Sequence, residues 1–148
     1  MKLSTRHRYG LRAMVELACC DGRTQLDRIA VSQEISRKYL DAIFSTLKAA
    51  GLVQSRRGVG GGQRLLKDPG EIRVGDIFRA IEGQLAITDC IANAQSCERA
   101  ETCVARGVWV RLNQAIERCL DEIVLADLVE QELAQRDLRE PPKLAKKG

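Results

Sequence analysis

With 148 residues, 45% of them hydrophobic and only 3% aromatic, the chain suits one domain with an appendage, its core built from Leu, Ile, Val and Ala. No apolar run reaches about 18 residues and Met1 to Gly10 is polar and basic, so neither a membrane span nor a secretory signal is expected and a cytoplasmic location is. The net charge of +4 hides a split: residues 1–80 carry 15 Lys/Arg against 8 Asp/Glu, and 81–148 carry 9 against 12, which turns only the first half toward a polyanion or leaves it a solvated basic face.

Ser4 or Thr5 can cap a first helix with Leu11, Met14, Val15 and Ala18 on one face, ending near Asp21-Gly22. Leu26 to Gln33 reads as a short second helix. Ser36 can cap a third, in which Leu40, Ile43, Phe44 and Leu47 fall at i, i+3, i+4 and i+7, and Gly51 suits a left-handed ending. Two strand-like segments follow, Leu52 to Arg56 and Gln63 to Lys67, joined by Arg57-Gly58-Val59-Gly60-Gly61-Gly62 as a basic, flexible hairpin tip. Val74 to Glu82 is a further short helix carrying Ile77, Phe78 and Ile81.

The stretch 84–103 has no clean period. From Val104 to about Glu132, Ala105, Trp109, Leu112, Ile116, Cys119, Ile123 and Ala126 keep the 4-3 spacing of a heptad seam. One long helix with such a seam needs a partner. The simplest is a second copy in a two-fold dimer; packing back on its own domain is the alternative. The expected division is a DNA-binding domain at 1–82, a cysteine-bearing cluster loop at 83–103, a dimerisation helix at 104–133 and a disordered tail at 134–148.

The expected fold is therefore mainly α: a winged helix-turn-helix with a two-stranded wing and a long C-terminal dimerisation helix. In that geometry the third helix enters the major groove of double-stranded DNA and presents Ser36, Arg37, Lys38 and Tyr39, with Asp41 one turn on. Arginine reads guanine bidentately, hydroxyls reach phosphates, and Asp41 either selects a cytosine amino group or lowers affinity. Arg56, Arg57 and Arg64 of the hairpin are candidates for phosphates or an adjacent minor groove, and glycines such as Gly60 allow close approach. The same glycines do not form a nucleotide cradle, because no Gly-Lys-Ser/Thr follows and the next element is a strand.

Six cysteines in a reducing compartment are not a disulfide framework by default. Cys90, Cys97 and Cys103, spaced C-x6-C-x5-C, offer three thiolates suited to iron–sulfur clusters, zinc or copper(I). Cys119 lies sixteen residues beyond Cys103, roughly 24 Å along a continuous helix, and reads as a seam residue; Cys19 and Cys20 read as core. The single histidine, His7, could complete a metal site at a dimer junction or belong to the basic patch. Asp89, Glu98 and Glu101 are further oxygen donors. No nucleophile–base pair or carboxylate pair emerges, so an enzyme is not expected.

Several motifs carry a resemblance. Met1-Lys2-Leu3-Ser4 with Tyr9 and Leu11-Arg12-Ala13, Ser36-x-x-Tyr39-Leu40, Leu47-Lys48-x-x-Gly51-Leu52-Val53-x-Ser55-x-Arg57-Gly58-x-Gly60-Gly61-Gly62, and Val74-Gly75-Asp76-Ile77 resemble the iron–sulfur cluster regulators of the IscR/NsrR type over roughly residues 1–130. The resemblance implies a homodimeric transcription factor, mostly a repressor, whose long C-terminal helices cross between subunits. It also implies that Cys90, Cys97 and Cys103 hold a 2Fe–2S or 4Fe–4S cluster, whose loading, loss or oxidation by oxygen, nitric oxide or iron limitation changes promoter occupancy. There are departures. Arg106 stands where IscR-like members place a histidine ligand, Arg8 where the nitric-oxide sensors place an aspartate, with His7 adjoining, and Gln63 where a wing tyrosine is usual. The alternative is the same fold without a cluster, controlled by zinc, thiol oxidation or a partner protein; a redox carrier without a DNA target is a third reading.

Overall fold

The computed structural model describes residues 2–139. Helix α1 (Thr5–Cys19) opens on Ser4, whose hydroxyl accepts the His7 backbone N–H at 3.1 Å. A two-residue strand β1 (Arg23–Thr24) leads into α2 (Leu26–Gln33). Glu34 then takes a left-handed turn at φ 54°, and Ser36 caps α3 (Arg37–Ala49) by accepting the Tyr39 N–H at 3.2 Å. Strands β2 (Val53–Arg56) and β3 (Gly62–Leu65) follow, then α4 (Val74–Glu82). A short helix α5 (Asp89–Ala92) interrupts the linker before α6 (Val104–Glu122) and α7 (Leu125–Arg139).

The apolar stripes of the first three helices meet as their spacing dictates. Met14, Leu17, Ile29, Leu40, Ile43 and Leu47 are all fully buried, joined by Ile77 of α4. Among the described residues, seven α-helices and the hairpin match the mainly α winged helix-turn-helix expected from sequence.

Three expectations need correction. The wing has three strands, in the order β1-β3-β2, because Arg23 pairs with Arg64 and Thr24 with Gln63. Two residues are too few for a period-2 pattern, so β1 leaves no sequence signal.

The seam helix is not continuous. Ile123 and Val124 leave the helix for extended backbone, and Val124 forms an antiparallel bridge with Arg73. The Val74 N–H donates to the Ile123 carbonyl at 2.9 Å, and the Leu125 N–H donates to the Ile72 carbonyl at 2.8 Å. Two adjacent β-branched residues beside a free stretch of backbone favour this pairing over another helical turn. Asp127 then accepts the Val124 N–H at 3.2 Å and starts α7.

Helix α7 doubles back onto α1. Leu125 is fully buried in the common core and Val129 packs against it, so residues 1–82 do not close their core alone. Residues 134–139, expected in a disordered tail, belong to α7; the rest of that expected tail lies outside the described residues.

Candidate nucleic-acid interface and cysteine segment

The buried stripe of α3 leaves Ser36, Arg37, Lys38, Asp41 and Lys48 exposed on the opposite face. Arg37, first residue of the helix, is not free there. Its Nη1 lies 2.5 Å from Oδ1 of Asp27 on α2, and its Nε donates to Oδ1 of Asp41 at 3.4 Å. The hydrogen bond to Asp27, followed by the charge of Asp41, holds the guanidinium above its ordinary proton affinity. Tyr39 is half-buried, its ring edge-on to Tyr9 at 5.6 Å between centroids, with the Arg12 guanidinium 5.6 Å from the centre of the Tyr9 ring.

The wing is fastened at its base. Arg23 donates to the Gly60 carbonyl and Gln25 donates to the Gly61 carbonyl at 2.9 Å, so the loop lies against the start of α2. Gly62 has φ 124°, and a Cβ there would meet the Thr24 backbone at 2.6 Å, so only glycine fits. Arg56, Arg57 and Arg64 remain exposed around this tip. Sequence reasoning missed Arg23, Gln25 and Asp27. The contacts of Arg23 and Gln25 follow from β1, which has no pattern of its own, and that of Asp27 from how α2 and α3 cross.

The cysteine segment joins this module to α6. Cys90 is half-exposed in α5, Cys97 is exposed after a 3₁₀ turn over Ala94–Ser96, and Cys103 is the half-exposed residue that precedes α6. All three are free thiols, and Asp89, Glu98 and Glu101 beside them are exposed. The Thr88 hydroxyl and Cys90 Sγ are 3.3 Å apart, and Arg106 Nε donates to the Cys90 carbonyl at 3.4 Å. Among the described residues no three His, Cys, Asp or Glu side chains form a metal-holding group. Asn113, buried in α6, anchors the segment's start: its Oδ1 accepts the Ile87 N–H and its Nδ2 donates to the Leu85 carbonyl, both at 3.1 Å.

His7 sits elsewhere, buried between α1 and α4. Its ring stacks on Phe78 at 4.5 Å, Nε2 lies 3.3 Å from the Phe78 carbonyl, and Nδ1 lies 3.1 Å from the Ser4 hydroxyl and 3.3 Å from Glu82. Cys19 and Cys20 are half-buried at the end of α1, and burial pushes the Cys19 thiol up.

The heptad seam divides at the helix break. Val108, Trp109 and Leu112 are 58%, 39% and 39% exposed on α6 and form an apolar stripe with half-buried Ile116 and exposed Cys119. Ile123 is outside the helix. No helix among the described residues is long and apolar enough to cross a membrane.

A helix-turn-helix with a fastened three-stranded wing and a basic exposed face defines a winged-helix DNA-binding regulator. Residues 3–131 match the Rrf2 family of iron-dependent transcriptional regulators, and the chain belongs to that family. It is 38% identical over 130 residues to the transcriptional regulator CymR of Bacillus subtilis, covering 86% of this chain and 89% of that protein. The solved structure of that protein, described as the global cysteine regulator, superposes with a TM-score of 0.72 over 88% of this chain and 98% of CymR. The chain is 37% identical over 131 residues to IscR of Serratia proteamaculans, covering 87% of this chain and 79% of that one. The structure of T. potens IscR has a TM-score of 0.72 at 34% identity, covering 99% of this chain and 93% of that one. These relatives are transcriptional regulators rather than enzymes, and the chain is a regulator of the same kind.

Proposed function

We propose that the chain is a cytoplasmic, homodimeric repressor that binds promoter operators and is controlled by an iron–sulfur cluster on Cys90, Cys97 and Cys103. The observation that carries this reading is the position of three free thiols on the one segment that joins the DNA-reading module to α6. The donor chemistry fits, since thiolates are the ligands such clusters take. When bound, the cluster supplies a redox- and nitric-oxide-sensitive centre.

The protein's own part is to convert order in that segment into DNA affinity. Residues 85–87 are tied to α6 through Asn113, and α4 packs against α1, α3 and α6. A segment drawn together by its thiols thus bears on the scaffold of the recognition helix through α4. His7 is engaged within its own subunit and Arg106 holds the Cys90 carbonyl, which supports a carboxylate such as Asp89, Glu98 or Glu101, or a non-protein group, as the fourth ligand. The exposed stripe of α6 is the dimer contact. Ser36, Arg37, Lys38 and Tyr39 meet the major groove, with Asp41 beside them, while Arg56, Arg57, Gly60 and Arg64 follow the backbone.

The deciding experiment is anaerobic purification with absorbance from 300 to 700 nm and matched iron, sulfide and zinc assays, alongside operator titrations. Brown colour that disappears in Cys97→Ala, with changed operator affinity, supports the reading. Equal affinity with and without a cluster refutes sensing.

A second reading rests on Arg106. With no histidine at that position, the three thiols can act as an oxidation-sensitive set in a protein without a cluster. Colourless protein whose DNA binding responds to peroxide and is restored by thiol reductant selects it.

A further inference from the structure

We infer that Asp27, on α2, sets base specificity by holding Arg37 away from the DNA backbone. The inference rests on the reading that Arg37 contacts a base in the major groove.

Arg37 has five N–H groups, and the two contacts with Asp27 and Asp41 engage Nη1 and Nε. Nη2 has no partner among the described residues, and this is the end of the guanidinium that remains to meet an acceptor. An unrestrained arginine at the start of a recognition helix can swing to the nearest phosphate, a contact that carries no sequence information. Here, leaving the carboxylates strands two negative charges near the phosphates. A guanine edge, which offers the N7 and O6 acceptors, can instead be met from the paired position.

Three exposed side chains with one positive and two negative charges lie on a face that is otherwise basic. Their pairing contributes little to folding, as is usual for exposed ion pairs. A carboxylate in the first turn of α2 also favours that helix's positive end, again by a small amount. A purely structural role therefore predicts a small change in stability and none in base preference.

The experiment is a binding selection of the full chain against a randomised duplex pool, followed by titration of the recovered duplex and of a scrambled one. The native protein and the Asp27→Asn, Asp27→Glu and Arg37→Ala variants are compared. Arg37→Ala should abolish preference at one base of each half-site. Asp27→Asn should flatten that same preference about tenfold and tighten binding to the scrambled duplex, whereas Asp27→Glu should retain both native values. Unchanged preference and unchanged scrambled-duplex binding in Asp27→Asn, with preference lost in Arg37→Ala, overturn the role of Asp27 alone. Preference intact in Arg37→Ala overturns the Arg37 contact and the inference with it.

Discussion

Arg136, near the end of α7, places Nη2 2.5 Å from Oε2 of Glu16, a residue 120 positions earlier whose side chain is only 5% exposed. Gln33, the last residue of α2, donates to the same carboxylate oxygen at 2.9 Å. Arg12 in turn donates to the Gln33 side chain at 3.1 Å and to its carbonyl at 2.5 Å. One polar chain thus ties the first helix, the helix-turn-helix and the last helix. Hydrogen bonds to Glu132 and then Glu16 hold the Arg136 guanidinium above its ordinary range.

Arg136→Met leaves the Glu16 carboxylate buried without its cation and should cost about 2 kcal/mol, the usual penalty of an orphaned buried charge that keeps only neutral donors, here Gln33 and the Cys20 thiol. Adding Glu16→Gln should restore most of the loss. Urea titration of the single and double variants measures both. Equal midpoints for Arg136→Met and the parent protein would remove the ion pair from the account.

Asn113→Leu deprives the Ile87 N–H and the Leu85 carbonyl of their partners, at about 1–3 kcal/mol for each group left unsatisfied. The loss should be local. Hydrogen exchange at 85–103 should accelerate while the amides of α1 and α3 keep their protection. Uniform acceleration across the chain would mean that Asn113 supports the whole core instead.

Arg57→Ala, at the exposed wing tip, should weaken DNA binding uniformly across sequences and lower the slope of log affinity against log salt by about 1. Gly62→Ala should weaken it by a different route, through displacement of β3 from Thr24. An unchanged salt slope in Arg57→Ala would take that side chain off the DNA.

Leu112→Glu puts a charge in the centre of the exposed α6 stripe. On the proposed α6 contact, sedimentation should show a dimer for the parent and a monomer for the variant, and operator affinity should fall because the two half-site contacts are no longer linked. A dimer that survives the charge would move the interface off this stripe.

The helical parts of the fold were legible wherever a 3.6-residue period ran past two turns, as in Leu40, Ile43, Phe44 and Leu47. The same logic overextended α6. A heptad register continues through Ile123 on paper, and nothing local announces that Arg73 will offer Val124 a strand-like partner. Long-range pairing of two or three residues has no periodic signature, which is also why β1 went unseen. At the site, residue types were readable and their partners were not. Arg37 stood out as a base reader, but its tie to Asp27 depends on how α2 and α3 cross. His7 stood out as the lone imidazole, and its burial against Phe78 depends on the packing of α4 on α1.

The return of α7 onto α1 also bears on synthesis. Leu125 belongs to the same core as Met14 and Ile43, so that core is complete only once α7 has been translated. A nascent chain that already carries its recognition helix and wing still lacks a wall of its hydrophobic interior, and domains fold as units. Acquisition of DNA-binding competence is thereby deferred until α7 has been made. Premature stop codons anywhere before Leu125 should yield protein that is cleared by proteolysis, rather than truncated regulators that occupy DNA.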